Sequence, residues 1–173
     1  GLLSGRGQPR ECDLWGETAK GGWGWDDVLH VFNRGEGNGR GADAFRGDEG
    51  TVSVSNMRIQ RPIVDAWVAS AQAAGYPFNP DYNGATQEGV GYFQLTTRNG
   101  RRCSTAVAYL NPVRSRPNLE IITRAQVQRI IIENGRATGV AYSHRPGREQ
   151  IGACPAAVLL LAGAIRTPHT PLP

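Results

Sequence analysis

The three histidines are the first residues to test for acid–base chemistry. His30, His144 and His169 lie far apart, and none has a Ser, Cys or Asp nearby in a spacing typical of a catalytic triad or a metal cluster. His30 follows Asp26 by one helical turn, so we expect a surface contact between them. Residue types and spacing therefore assign no catalytic residue and no metal ligand.

The three cysteines give a second, equally plain result. Cys12, Cys103 and Cys154 are widely separated and contain no CxxC pair, so neither a disulfide framework nor a structural zinc site is indicated. We expect free thiols in a reducing compartment, which favours a cytoplasmic location.

A glycine-rich segment, residues 34–50 (RGEGNGRGADAFRGDEG), is the only stretch that suggests anion binding. A dinucleotide-binding loop needs GxGxxG between a strand and a helix, and neither pattern flanks these glycines. Its arginines resemble an RGG-type nucleic-acid segment, but its four acidic residues cancel their charge. We expect a mobile surface loop, because its glycines lose much entropy on ordering.

The elements around this segment follow from hydrophobic spacing. The opening 22 residues are rich in turn formers. A helix is predicted from Trp25 to about Gly35, and a strand over Thr51–Ser55. A second helix is predicted within Gln60–Gly75, with Pro62 in its first turn. Its apolar face comprises Ile63, Trp67, Ala71 and Ala74.

The last third is β-rich. Runs at 119–124, 127–133, 137–143 and 150–153 predict strands, and Asn134-Gly135 predicts a hairpin turn. The wholly apolar run Ala157–Ala162 predicts a buried strand of a parallel sheet, although the sequence supplies no parallel partner for it. The predicted fold class is therefore mixed, α+β or α/β, with an antiparallel β-meander plus one buried parallel strand.

Length and composition set the remaining bounds. A chain of 173 residues suits about one domain, and four Trp with 39% hydrophobic residues exclude global disorder. The net charge, 19 − 15 = +4, is too small to identify a partner. The longest apolar run, 156–165, is shorter than the roughly 20 residues of a membrane span. We expect no transmembrane segment and no secretory signal, and a start upstream of Gly1.

Several segments, in order along nearly the whole chain, carry a resemblance to a known family. They are RGQPRECDLWGE, GGWGWDDVLHVFNR, FRGDEGTVSVS, AAGYPFNPDYNGATQEGVGYFQLTTRNGRRCSTAVAYLNP, RPNLEIITRAQVQRI, GRATGVAY and AGAIRTP. Together they resemble the glucose-methanol-choline (GMC) family of FAD-dependent oxidoreductases, most closely its choline dehydrogenase-like branch.

The resemblance implies an incomplete piece of an FAD-binding, Rossmann-like domain with part of the substrate domain, an internal fragment without either family end. It implies an FAD-domain segment with an active-site-entrance loop over 1–55, part of the substrate domain over 56–100, and a truncated FAD-domain segment over 101–173. Near the FAD it places the backbone at Gly1, Leu2 and Leu3, at Val127, and at Ala162 and Gly163.

The family's activity implies the function. Its members transfer a hydride from a primary, choline-like alcohol to flavin N5 and release an aldehyde, while a histidine takes the alcohol proton. No histidine of this chain matches that catalytic position, so we expect the chain alone to be inactive, with no nucleic-acid partner. The alternative is a non-enzymatic, basic Gly/Arg-rich module that binds anionic partners.

Overall fold

A short helix that composition did not predict is the first helix among the described residues. The computed structural model describes residues 2–19, 21–144 and 148–169. Helix α1 spans Pro9–Thr18, with Pro9 in its first turn. The Gln8 N–H donates a 3.0 Å hydrogen bond to Glu11 Oε2, which caps the helix. The turn formers of this region gave no sign of this helix, which a capping pair and a proline start among the glycines.

The two predicted helices are confirmed. Helix α2 spans Trp25–Gly35 and helix α3 spans Pro62–Ala73. The apolar face of α3, however, is not packed within its own part of the structure. Ile63 is 77% exposed and Trp67 63% exposed, whereas Val68 is buried.

The glycine-rich segment is not the mobile loop that its composition suggests. Strand β1 (Glu36–Asn38) pairs in parallel with strand β2 (Val52–Val54), with Glu36 opposite Val52. Further backbone hydrogen bonds close the segment, from Asn38 N–H to the Gly47 carbonyl (2.9 Å) and from Gly50 N–H to the Glu36 carbonyl (2.9 Å). Strand β2 also confirms the strand predicted over Thr51–Ser55.

Residues 91–97 form isolated backbone bridges rather than a continuous strand. Leu95 bridges both Leu3 and Ser55, and the regular part is the short hairpin of β3 (Thr97–Arg98) with β4 (Arg101–Arg102). A π-helical turn (Ala106–Leu110) and a 3-10 turn (Asn111–Val113) follow.

The β-meander predicted for the last third is confirmed. Strands β5 (Gln126–Glu133), β6 (Arg136–Ser143) and β7 (Glu149–Ala153) form an antiparallel sheet in that order. Asn134 and Gly135 form the β5–β6 turn with φ of 51° and 76°, the left-handed geometry that Asn-Gly favours. Helix α4 spans Gly163–His169. Residues 119–124, predicted as a strand, form none.

The predicted buried parallel strand over Ala157–Ala162 is wrong. These residues form no strand, and Leu159 and Leu161 are strongly exposed, the latter at 88%. A strand is stable only when neighbours satisfy its N–H and C=O groups, and no described residue pairs with this run.

The structure divides into two units, residues 1–116 and 117–173. The core of the first is small and unusually polar. Its buried apolar residues are Val54, Val68, Val90, Cys103 and Ala108, and its buried polar residues are Glu36, Asn38, Asn79, Asn83 and Gln94. In the second unit Ile130, Gly139 and Ala141 are the buried residues among those that the structure describes. Within the described part of the chain, no helix is long and apolar enough to cross a membrane.

Candidate functional site

The N-terminal stretch, residues 2–6, is fixed by backbone hydrogen bonds to the 94–96 segment. The Ser4 N–H donates to the Gln94 carbonyl, and the Thr96 N–H donates to the Leu2 carbonyl, each over 2.8 Å. Leu3 forms an antiparallel bridge with Leu95 between these two bonds. The backbone path at Leu2 and Leu3 is therefore set by long-range pairing.

Two amide side chains from the 83–87 segment complete this attachment. Asn83 Nδ2 donates to the Ser4 carbonyl over 3.1 Å, and Asn83 Oδ1 accepts from the Arg6 N–H over 2.9 Å. Gln87 Nε2 donates to the Arg6 carbonyl over 2.7 Å. Hydrogen bonds therefore hold the stretch at Leu2 and Ser4 on one side and at Ser4 and Arg6 on the other.

A buried ion pair lies at the end of the N-terminal stretch. The Arg6 guanidinium contacts Glu36 Oε2, and both side chains are 8% exposed. Arg6 also donates to the Phe45 carbonyl and to Asn33 Oδ1, the latter over 3.3 Å. Its planar donor fork is thus shared among three acceptors, a geometry that a lysine cannot reproduce.

Amide side chains extend this ion pair. Asn38 Nδ2 donates to Glu36 Oε1 over 2.6 Å and to Gln94 Oε1 over 3.0 Å. Gln94 Nε2 donates in turn to Asn38 Oδ1 (3.2 Å) and Asn56 Oδ1 (3.0 Å). Both carboxylate oxygens of Glu36 are therefore satisfied, as burial of a charge requires. We call Arg6, Glu36, Asn38 and Gln94 the polar core.

Sequence reasoning did not identify the polar core. Glu36 and Asn38 point to the same side of β1 because alternate residues of a strand share a face. That signal depends on recognising β1, and the glycines around it predicted a loop instead. Arg6 and Gln94 are distant in sequence, so no local pattern connects them.

Two of the three arginines of the glycine-rich segment, Arg40 and Arg46, are engaged inside the first unit. Arg46 pairs with Asp43 over 2.8 Å and contacts Asp81. Arg40 donates to Asn56 Oδ1 over 2.7 Å and to the Pro80 carbonyl over 2.6 Å. Burial, and to a smaller extent the charge of Arg46, lowers the pKa of Arg40. These contacts leave Arg40 and Arg46 poorly suited to bind phosphates.

Two of the predicted cofactor-contacting residues lie on the N-terminal stretch. The backbone of Leu2 and Leu3 is fixed, while their side chains are exposed. Two apolar side chains on a fixed backbone fit the face of a planar ring system. Gly1 lies outside the described residues. A cavity of about 510 Å³ lies beside Arg6, lined by parts of residues 6–10 and 82–88.

The other predicted contacts belong to the second unit. Val127 lies on β5, which pairs with β6 and has no second partner among the described residues. Such an edge presents unpaired backbone groups that can bond the edge of a base. Gly163 has a φ of 90°, and a Cβ there would meet nothing within 4 Å. Ala162 precedes it and is exposed.

Among the described side chains, His30 and His144 make no contact typical of a catalytic base. His30 is exposed on α2, and the His144 ring packs edge-on against Tyr142 with centroids 5.5 Å apart. His169 ends α4. Among the described residues, no group of three His, Cys, Asp or Glu side chains is placed to hold a metal ion.

Comparison with known proteins gives one consistent family. The sequence model described as GMC oxidoreductase matches residues 1–170. The chain is 38% identical to the oxygen-dependent choline dehydrogenase of Sinorhizobium fredii over 97% of its own length and 30% of that protein. It is 34% identical to an alcohol dehydrogenase [acceptor] of Pseudomonas putida over 95% of its length and 30% of that protein.

Solved structures agree with the sequence matches. Pyridoxine 4-oxidase from Mesorbium loti superposes with a TM-score of 0.79 at 28% identity, over 87% of this chain and 30% of that one. The chain therefore spans about 30% of the length of the curated relatives and of this structure.

Proposed function

Because this chain belongs to the GMC oxidoreductase family, we propose that the whole protein is an FAD-dependent oxidoreductase that oxidises a primary, choline-like alcohol to an aldehyde. The observation that carries the proposal is the 38% identity to a choline dehydrogenase over 97% of this chain. The likeness to an alcohol dehydrogenase supports the same donor class, a CH–OH group.

The N-terminal domain of this family binds FAD. When bound, this cofactor would supply the hydride acceptor of the reaction, its N5 atom. We propose that Leu2 and Leu3 pack against its ring system and exclude water there. The free edge of β5 at Val127 would pair with the adenine edge. Ala162 and Gly163 would let the backbone approach closely.

The base that accepts the alcohol proton is not one of this chain's three histidines. His30, His144 and His169 do not match the position of the family's catalytic histidine. We therefore propose that the 173-residue chain alone does not oxidise alcohols. Turnover of choline or a simple primary alcohol by the purified chain would contradict this.

The test is expression of the complete reading frame that contains this sequence. We expect flavin absorption bands in the purified protein and oxidation of choline or a related primary alcohol. A Leu3→Asp variant should lose FAD, because a charge would then lie against the ring system. Leu14→Asp is the matched control, since Leu14 is similarly exposed but lies on α1. A complete protein that binds no flavin would refute the proposal.

The remaining features of the proposal concern organisation and location. The division into FAD-domain segments over 1–55 and 101–173 and a substrate-domain part over 56–100 is proposed on the family resemblance. The free state of all three cysteines supports a reducing, cytoplasmic compartment. The contacts of Arg40 and Arg46 within the first unit argue against the alternative of an anion-binding Gly/Arg module.

A further inference from the structure

The N-terminal stretch is not held in place by apolar burial. Leu2 and Leu3 are exposed, and the attachment consists of directional hydrogen bonds to residues 83–96. Directional bonds fix orientation as well as distance, because a hydrogen bond weakens steeply when its angle changes. The position of the two leucines therefore depends on what holds Arg6 and Gln94.

Both anchors are members of the polar core. Gln94 accepts the Ser4 N–H through its backbone and binds Asn38 through its side chain. Arg6 lies at the end of the stretch and joins it to Glu36 and to the Phe45 carbonyl. The polar core thus connects the N-terminal stretch to the glycine-rich segment at two points.

The charge on Glu36 is what makes this connection stiff. A buried, unpaired guanidinium is strongly unfavourable, so Arg6 stays on Glu36 rather than rotating toward solvent. Replacing Glu36 with Gln keeps the size of the side chain but removes the charge. The Arg6 guanidinium would then gain by moving out to water, and the backbone of residues 4–6 would move with it.

We propose that the Arg6–Glu36 ion pair is a positioning device that sets where the backbone of Leu2 and Leu3 lies against the cofactor. This inference rests on the proposed function for its flavin contact. Arg6 and Glu36 are positioning residues, because neither touches the cofactor or the substrate in this assignment. If the ion pair were purely structural, its loss would instead lower the overall stability without a selective effect at the N-terminal stretch.

Hydrogen exchange on the complete protein tests the positioning directly. In Glu36→Gln, the amides of Ser4, Arg6 and Thr96 should exchange at least about tenfold faster, because a broken buried pair frees their local bonds. The amide of Val140 in the second unit should be unchanged. Glu149→Gln is the matched control, since it removes the exposed Arg129–Glu149 pair. Equal acceleration at all amides would overturn the inference.

The flavin contact is tested in the complete protein. Glu36→Gln should change the visible circular dichroism of bound FAD and lower kcat by about tenfold to a hundredfold at unchanged KM, the scale expected of a small misplacement. Glu149→Gln should do neither. Arg6→Lys, which keeps the charge and serves if Glu36→Gln does not fold, should give an intermediate spectrum and kcat.

The two proposals can fail separately. A wild-type protein without flavin would refute the proposed function. Flavin in the wild type with an unchanged spectrum and kcat in Glu36→Gln would refute the positioning role alone.

Discussion

Gly50 provides the sharpest test of the folded glycine-rich segment. A Cβ built on Gly50 would overlap the backbone of Gly35 and Glu36, at the point where the chain enters β1. Neither neighbour can rotate away, because all the overlapping atoms are backbone. Gly50→Ala must therefore move β1 away from the chain leading into β2, which strains the 2.9 Å bond from Gly50 N–H to the Glu36 carbonyl.

The expected cost can be set against a control in the same segment. Overpacking of an interior costs about 1–3 kcal/mol, and contact with rigid backbone places Gly50→Ala at the upper end. That loss lowers Tm by about 10 °C or more for a unit of this size. At Gly39 an added Cβ would lie 3.6 Å from the Val54 carbonyl oxygen, an ordinary contact. Gly39→Ala should therefore change the free energy of unfolding by less than about 0.5 kcal/mol.

Urea unfolding followed by tryptophan fluorescence measures both variants. Trp25 lies on α2, which leads directly into β1, and so reports on this region. If Gly50→Ala and Gly39→Ala unfold at the same urea concentration, the close backbone contact is absent and the reasoning from Gly50 is wrong.

Three further predictions concern single groups and the chain as a whole. The hydrogen bond to Asp65 is the main cause that raises the pKa of Tyr92 above 10.0. The stabilising effect of this hydrogen bond is therefore complete below pH 10.0 and declines as the pH rises further. Tyr92→Phe should remove this decline, as measured by unfolding between pH 8 and 11. Burial raises the pKa of the Cys12 thiol, and the charges of Asp13 and Glu11 add to the effect, so less thiolate is present near neutral pH. Iodoacetamide should therefore modify Cys12 more slowly at pH 8 than it modifies a cysteine in a model peptide. Equal rates would contradict this. The exposed apolar side chains of α3 and of residues 159–161 should make the isolated chain marginally stable and prone to aggregate. The double variant Trp67→Lys, Leu161→Lys should scatter less light on heating. A sharp unfolding transition of the unchanged chain as a monomer would count against the prediction.

Elements with local signals were predictable from sequence. Helices α2 and α3, strand β2 and the β5–β6 hairpin each carry a cap, a terminating glycine, an alternating pattern or an Asn-Gly turn within a few residues. Helix α1 was missed because its signal is the Gln8–Glu11 cap, which composition hides among turn formers.

Features that depend on distant partners were not predictable. The apolar run 157–162 has the composition of a buried strand, but a strand also needs neighbours, and hydrophobicity alone does not supply them. Strand β1 was missed for the opposite reason: its glycines lack β propensity, and pairing with β2 holds them in place.

The candidate site shows the same division. The family resemblance placed residues near FAD whose roles stay predictions, namely Gly1, Leu2, Leu3, Val127, Ala162 and Gly163. Glu36 and Gln94, which lie 58 positions apart in the numbering, meet only through Asn38 in the folded chain.

The buried Arg6–Glu36 ion pair of the polar core limits how this sequence can diverge over evolution. Apolar interiors tolerate many exchanges of similar volume, whereas a buried charge tolerates loss of its partner poorly. Arg6 and Glu36 should therefore be inherited as a pair, each replaced only when the other is replaced as well. A lineage that loses the pair would have to pass through a sequence with one buried, unpaired charge, and selection should make such sequences rare.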